Sequence, residues 1–419
     1  MFNPFSIPTH LSPAIHINQN KMRFAYLLIP QFVSALVIDQ RDDRNRAVYF
    51  LDDDPNGSSI VSLKINPLDG TLSDPLRIST RGKGLPGVVA GASPGSVPVP
   101  GAADPLFSQD SVVVSENKYL FTVNAGSNTV SLFVIDEDNP WNPKLINTAP
   151  SQGDFPVSIA YSRKLKTACT LNGGSKAGVA CFSVDHSAGL TPIGSLRPIA
   201  LGQSTPPLGP PGTASDIVFN PSSTALFVTI KGQTPSSGSI YAYPVSTSSS
   251  GNSISTTAVI SNPSSLVVDF SISFLGTDSK AVIADPSFGA AIVDIRPDFR
   301  VTVSNRVVVP NQGATCWGSY SSRFNSIFLM DAVNPDIIIL DPVSGAVTGV
   351  ISQNPAGRGS FDSALDQNYI YTLKAGQSVS VSDLSGLNHG GQAKEVQSFD
   401  LSSLGPRATW IGMAVYPSS

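Results

Sequence analysis

The chain has 419 residues, of which 41% are hydrophobic and only 13% are charged, and its formal net charge is −4. The charged fraction is about half of the usual ~25%, and Lys and Arg do not cluster, so the composition excludes nucleic acid as an expected partner. Plentiful Val, Ile, Leu and Phe exclude a disordered chain, whereas abundant Gly and Pro favour a turn-rich all-β protein.

The N-terminal segment has the pattern of an export signal. Met22 and Arg23 precede an apolar run over 24–33, and Val-Ser-Ala at 33–35 is a small-residue cleavage site. The run is short and contains Pro30, which argues against a membrane span. We therefore expect residues 1–21 to be a non-native extension, 22–35 a signal peptide and 36–419 a single domain. This domain is expected to be a secreted monomer, either free outside the cell or associated with the cell wall. A buried N-terminal strand is the alternative interpretation of the run.

Export would place the three cysteines in an oxidising compartment. Cys169 and Cys181 flank a hairpin-like turn over 172–178, so a disulfide between them is predicted, with two buried free thiols as the alternative. Cys316 is then expected in the core. Asn56, in Asn-Gly-Ser, is the predicted glycosylation site.

A unit of four strand-like segments recurs along the chain and indicates a repeat architecture. Its first segment recurs seven times at intervals of roughly 45 to 60 residues, at 111–114, 157–160, 216–219, 271–274, 317–320, 361–364 and 411–414. The third segment alternates apolar and small polar residues, as at 129–134, which is typical of a half-buried strand. These repeats predict a seven-bladed β-propeller of four-stranded antiparallel blades.

The two ends of the chain share one predicted blade. Residues 47–78 supply a second, third and fourth strand without a first, and the last first-strand segment, 408–415, has no strands after it. Joining them closes the ring with the C-terminal strand. The alternatives, a β-sandwich or two stacked β-domains, do not explain why both strand sets count to seven.

Three insertions, at 82–110, 201–215 and 246–257, interrupt the repeat. The first two are rich in Gly and Pro and lead into innermost strands, so they reach the face on which propellers bind ligands. A lid over the channel is one arrangement that the sequence of 82–110 allows.

The loops that rim this face carry the candidate site residues. The predicted ligand-binding residues are Asp52, Asp54, Asn124, Lys231, Asp285, Trp317 and Lys374, and the predicted catalytic residues are Asp154, Asp331 and Arg358. Such a mixed rim suits a small polar or anionic ligand. The alternative is that each Asp or Asn only caps a turn, an explanation that does not extend to the cations.

Other enzyme patterns carry little weight. Gly91-Ala-Ser-Pro-Gly95 matches a nucleophile motif, but its Gly/Pro-rich surroundings do not provide the strand and helix which that motif requires. His186 and His389 fall in hairpins away from the rim, and no His/Cys cluster has metal-ligand spacing, so no metal or cofactor is expected. The acidic run 52–54 is a weak calcium alternative.

Four stretches, at 49–57, 104–109, 121–131 and 176–184, resemble a family of secreted fungal propellers labelled 3-carboxymuconate cyclase-like, or lactonase-type. The stretch 124–131 also resembles bacterial 6-phosphogluconolactonases. The resemblance implies an enzyme that forms or opens a lactone on a small carboxylated molecule. Lys231, Arg358 and Lys374 would then hold the carboxylate, with Asp154 or Asp331 as base. The alternative is a non-catalytic secreted binding or surface protein that uses the same rim.

Overall fold

A computed structural model describes residues 45–417 except 94, 102, 116, 117, 234, 235, 249 and 250. The predicted extension and signal peptide lie outside the described residues. The described residues belong to one compact unit.

Seven antiparallel blades make up this unit, as the repeat predicts. From the innermost strand outwards, blade 1 consists of Trp410–Tyr416, Arg46–Asp52, Ser59–Ile65 and Leu72–Ser79, blade 2 of Val112–Val114, Tyr119–Asn124, Thr129–Val134 and Lys144–Pro150, and blade 3 of Pro156–Ser162, Thr167–Asn172, Gly178–Asp185 and Gly189–Pro198. Blade 4 consists of Ala214–Phe219, Ala225–Ile230 and Ser239–Ser248, the last of which pairs with both Gly251–Ile254 and Val259–Ser261.

The remaining blades follow the same order. Blade 5 consists of Ser271–Thr277, Lys280–Asp285, Gly289–Ile295 and Val301–Val308, blade 6 of Thr315–Ser321, Ser326–Asp331, Ile337–Leu340 and Val347–Ile351, and blade 7 of Ser360–Asp366, Tyr369–Lys374, Ser378–Asp383 and Lys394–Asp400. A separate hairpin pairs Val88–Val89 with Val99–Pro100. The helical segments of the described chain are short 3-10 turns at Pro355–Gly357, Ser385–His389, Ser402–Leu404 and Arg407–Thr409.

Burial follows the position of a strand within its blade. All six residues of the second strand of blade 4 are buried, whereas the outermost strand of blade 7 alternates between exposed and half-buried residues. The middle strands are covered on both faces because neighbouring blades pack face to face, so their sequences read as continuous apolar runs. Helices able to span a membrane do not occur in the described part of the chain.

The C-terminal strand closes the ring. It pairs antiparallel with the first described strand, from Ala47 opposite Tyr416 to Asp52 opposite Trp410. Trp410 is fully buried, and its ring centroid lies 5.2 Å from that of Phe50. The same strand also packs against the innermost strands of blades 2 and 7, so it completes the inner circle as predicted.

The predicted disulfide is present. Cys169 and Cys181 lie directly opposite each other in adjacent strands of blade 3, with Cα atoms 4.0 Å apart. Cys316 is a buried free thiol, as expected of a core residue.

Two insertions form regular structure. The first contains the hairpin at 88–100, and a parallel bridge from Val88 to Leu208 joins it to the second insertion. The third insertion extends blade 4, because its Ser/Thr-rich stretch continues the third strand into a hairpin with Gly251–Ile254.

Candidate functional site

The end of the first insertion enters the ring and fills it. We call residues 104–110 the plug. Its backbone carbonyls accept hydrogen bonds from three different blades: Phe107 O from Lys231 Nζ at 2.5 Å, Ser108 O from Trp317 Nε1 at 3.0 Å, and Asp110 O from the Ile159 amide at 2.9 Å. The plug is therefore fastened across the inner circle.

The side chains of the plug add to this fastening. Gln109 donates from Nε2 to Gly318 O at 3.3 Å and accepts from the Gly318 amide at 3.2 Å, and Ser108 Oγ donates to Val157 O at 2.8 Å. Phe107 and Asp110 have φ values of 54° and 58°, a left-handed conformation that non-glycine residues rarely adopt. The surrounding hydrogen bonds hold the chain in these sharp turns.

Glycines make room for the ring of Phe107. A Cβ on Gly87, Gly101 or Gly209 would lie 2.5, 2.9 or 2.7 Å from this ring. These glycines come from both insertions. Because glycine has no side chain, the backbones of both insertions can pack directly against the ring of Phe107.

Residues of the plug, of the two insertions and of several blades line a cavity of about 560 Å³, which we call the cup. Its lining is mostly apolar, and it comprises Val89, Gly101, Ala103, Asp104, Phe107, Pro210, Pro211, Val268, Phe270, Pro286, Ser287, Ala314, Cys316, Ala332, Phe361 and Ala375. Concave, largely apolar pockets with a few polar groups are typical ligand sites.

Asp104 is the ionisable carboxyl group of this lining. Its Oδ1 is buried without a hydrogen-bond partner among the described residues. Burial raises the pKa of Asp104 from 3.8 to about 7, although the nearby positive charges of Lys231 and Arg407 act in the opposite direction. A carboxyl group with this pKa changes its protonation state near neutral pH, as general bases do.

The two cations near Asp104 are bound to main-chain carbonyls. Lys231 is buried and donates to Phe107 O and to Ala214 O, the latter at 3.0 Å, and burial lowers its pKa to about 7. Arg407 donates to the carbonyls of Lys374, Trp410 and Ala103 at 2.5, 2.6 and 3.1 Å, and burial lowers its pKa to about 9. Arg407 Nη2 has no hydrogen-bond partner among the described residues.

Each cation also stands over an aromatic ring of the cup. Lys231 Nζ lies 4.7 Å from the centroid of Phe270, and the guanidinium carbon of Arg407 lies 5.0 Å from that of Phe361. Trp317 packs against both rings, with centroid distances of 4.9 and 4.6 Å. Cation–π contacts thus join the two cations to Phe270 and Phe361, and Trp317 packs against both of these rings.

Three further carboxyl groups cluster at the lower end of the plug. Asp110, Asp216 and Asp362 come from the plug and from the innermost strands of blades 4 and 7, and burial raises the pKa of each, to about 6 for Asp216 and about 8 for Asp362. The Asp110 amide donates to Asp362 Oδ2 at 3.3 Å. These three carboxyl groups do not have the spacing of a metal site, and no other group of three or more His, Cys, Asp or Glu residues has it in the described part of the chain.

Most rim residues predicted from the sequence fasten loops. Asp285 accepts the amides of Val267 and Val268 at 2.7 and 3.0 Å, and Asp331 accepts those of Gly313 and Ala314 at 2.7 and 3.0 Å. Both acids end the second strand of their blade. Each therefore ties the loop that enters its own innermost strand.

Lys374 ends the second strand of blade 7, as Asp285 and Asp331 do in their blades, and it holds neighbouring loops by donating hydrogen bonds. Its Nζ donates to Pro335 O at 2.8 Å and to Ser360 Oγ at 2.6 Å, and burial lowers its pKa to about 8. Arg358, in contrast, is exposed at the end of a 3-10 turn. The structure thus does not bring Lys231, Arg358 and Lys374 together at one point.

The other predicted residues are also engaged locally. Asp154 accepts from Ser175 Oγ at 2.6 Å, Asp52 pairs with Arg77, and Asn124 donates to Ser131 Oγ at 2.9 Å. Asp54 accepts the amide of Asn56 at 2.8 Å, and Asn56 is exposed. Trp317 is buried beneath the cup, and His186 and His389 are exposed in connections between third and outermost strands. The catalytic and binding roles of these residues stay predictions.

Sequence reasoning missed Asp104, Arg407 and Cys316 as site residues. Asp104 opens one of the stretches that carry the family resemblance, 104–109, so a signal was present. No comparable pattern surrounds Arg407 or Cys316, because the fold alone brings them to the cup.

Comparisons with known proteins support the fold. No family model matches the sequence, and no curated protein matches it. Among solved structures, a protein from Lactobacillus plantarum is similar over 89% of this chain and 99% of its own, with a TM-score of 0.64 and 14% identity.

Two similar structures carry lactonase names. The periplasmic gluconolactonase of Pseudomonas aeruginosa covers 88% of this chain and 99% of its own at a TM-score of 0.60 and 13% identity. A Bacteroides fragilis protein, provisionally assigned as a 6-phosphogluconolactonase, covers 90% and 99% at a TM-score of 0.58 and 12% identity. The chain is therefore a seven-bladed propeller similar in fold to lactonase-type propellers, and at this identity the likeness extends to the fold alone.

Proposed function

We propose that the cup binds a small lactone and that the chain opens it by hydrolysis, with the Asp104 carboxylate as general base. The observation that carries this proposal is the Asp104 carboxyl group, which lines the cup and has an enclosed oxygen without a partner and a pKa of about 7. A buried oxygen without a partner costs stability, and a carboxyl group with a strongly raised pKa in a cavity is a candidate functional group.

The reaction needs only water as co-reactant. Asp104 takes a proton from a water molecule while the oxygen of that water attacks the lactone carbonyl carbon. The ring C–O bond then breaks, and the leaving alkoxide receives the proton from Asp104, which gives a hydroxy acid and restores the base. The positive charge of Arg407, whose pKa is about 9, favours the negative charge that develops nearby.

We also propose that the protein works outside the cell. The disulfide in blade 3 fits an oxidising compartment, and the pattern over 22–35 is that of an export signal. N-terminal sequencing of protein exported by a host that expresses the full chain tests this. A mature N-terminus near residue 36 supports export, and retention of the intact chain inside the cell contradicts it.

The test of the enzymatic proposal is a panel assay. Purified protein is offered simple lactones in a pH-stat, and 3-carboxymuconate is followed by ultraviolet absorbance. We expect lactone hydrolysis that increases as pH rises through about 7, the pKa of Asp104, and that is lost in Asp104→Asn. Asp341→Asn is the matched control, because Asp341 lies outside the cup and accepts the amide of Ser344 in a turn.

A non-catalytic binding protein is the second candidate, and one observation favours it. The plug crosses the ring, and Lys231 near the cup already donates to two carbonyls, so among the described residues only Arg407 Nη2 offers a cationic donor to a polycarboxylate there. Absence of turnover on the whole panel by folded protein would favour this candidate.

A further inference from the structure

Aromatic rings form part of the lining of the cup, among smaller apolar residues. Phe270 and Phe361 flank Trp317, whose ring is fully buried and whose Nε1 donates to the plug. Phe107 completes the lining from the side of the plug. Rings held in this way present a fixed apolar surface, against which flat apolar molecules pack well.

Polar groups in the lining are few and mostly occupied. Ser287 donates its hydroxyl to Asp285 at 2.6 Å, and burial raises the pKa of the Cys316 thiol well above its usual value. Lys231 and Arg407 are not lining residues, and they contact the lining rings of Phe270 and Phe361 through cation–π interactions. Asp104 therefore remains as the main polar contact for a ligand.

This distribution disfavours a sugar-like ligand. A sugar lactone carries several hydroxyl groups, and each one buried without a partner costs about 1–3 kcal/mol. One polar contact in a cup with apolar walls instead matches a molecule with an apolar body and a single polar end.

We propose that the ligand of the cup is an aromatic or alkyl-substituted lactone, with its ring ester at Asp104 and its apolar body packed against the cup-facing sides of Phe270 and Phe361. The reaction assigned to this ligand rests on the proposed function, but the preference for an apolar body rests on the walls alone. The sugar-lactone specificity in the names of two similar structures would then not extend to this chain.

Binding and turnover are measured separately on the mature chain. Titration calorimetry with coumarin, an aromatic lactone that hydrolyses slowly, is compared with freshly dissolved glucono-δ-lactone. Hydrolysis is followed with 3,4-dihydrocoumarin and with the same sugar lactone. We expect saturable binding of coumarin, hydrolysis of dihydrocoumarin, and at least a tenfold weaker response to the sugar lactone.

A cup-filling variant locates the site. Ala332 is half-buried in the lining, so Ala332→Leu is expected to weaken coumarin binding at least tenfold. The matched control is Ala188→Leu, which makes the same change at an exposed turn between the third and outermost strands of blade 3, and which is expected to bind like the wild type.

The outcomes separate the two proposals. Coumarin binding that Ala332→Leu weakens, without any hydrolysis, supports the apolar ligand and overturns the enzymatic function. Hydrolysis of glucono-δ-lactone without any response to the aromatic lactones overturns the apolar ligand and leaves lactone hydrolysis in place. Coumarin binding that Ala332→Leu does not change overturns the assignment to the cup.

Discussion

Replacing Asp104 by asparagine removes an ionisable group that the fold holds in its neutral form, and this has a measurable effect on stability. The pKa of Asp104 rises from 3.8 to about 7, a difference of about three units at ~1.4 kcal/mol each. The folded state keeps the proton up to about pH 7, whereas the unfolded chain releases it near pH 4. The contribution of Asp104 to stability is therefore highest below pH 4 and is lost as pH rises to about 7.

The difference in unfolding free energy between Asp104→Asn and the wild type depends on pH. At about pH 8 the ionised Asp104 costs at most about 4 kcal/mol of unfolding free energy, and asparagine avoids this cost. Losing the attraction to Lys231 and Arg407 offsets part of the gain. We therefore expect Asp104→Asn to unfold like the wild type at about pH 4 and to be more stable than the wild type at about pH 8. A gain in stability with a loss of activity is typical of functional residues.

Urea unfolding followed by fluorescence at both pH values measures the difference. Asp285→Asn serves as the control, because Asp285 accepts the amides of Val267 and Val268. Its asparagine variant is expected to lose stability at both pH values. If Asp104→Asn is destabilised equally at both, the carboxyl group is not held neutral by burial and the reasoning is wrong.

Three further outcomes are expected. The thermal midpoint of the wild type should rise as pH falls from about 8 to about 5, because burial raises the pKa of Asp53 and Asp216 to about 6 and that of Asp362 to about 8. The lowered pKa values of Lys231 and Lys374 offset part of this rise above about pH 7. A midpoint that falls over the whole interval would contradict it. Trp410→Ala should cost about 3–5 kcal/mol in urea unfolding through the cavity left at the closing strand, and a cost below about 1 kcal/mol would mean that this strand does not hold the ring. Reduction of the disulfide, which joins residues 12 apart in sequence, should lower stability by about 2–3 kcal/mol, with Cys316→Ser as the control for effects on the free thiol.

The blades could be predicted from the sequence because their signals are local. Alternation and apolar runs mark each strand within a few residues, and the hairpin around 172–178 is enough to place Cys169 opposite Cys181. Closure of the ring also follows, because it needs only the strand count at each end. These features depend on residues that lie close together along the chain.

The cup could not be predicted in the same way. Asp104, Lys231 and Arg407 lie in three distant parts of the sequence, and only the path of the plug through the ring brings their charges together. A loop rich in Gly and Pro gives no local pattern for such a path. The plug residues look like ordinary loop sequence until their hydrogen-bond partners are known.

One position, at or directly after the end of the second strand, shows how the site departs from the repeat. In blades 5, 6 and 7 this position holds Asp285, Asp331 and Lys374, and each ties a loop of its own or the neighbouring blade. In blade 4 it holds Lys231, which also reaches the plug carbonyl of Phe107. An acid there could not donate to that carbonyl, and it would add a second negative charge near Asp104. The lysine thus fastens the plug at Phe107, and its positive charge lowers the pKa of Asp104. This one position therefore contributes both to the shape and to the electrostatics of the site.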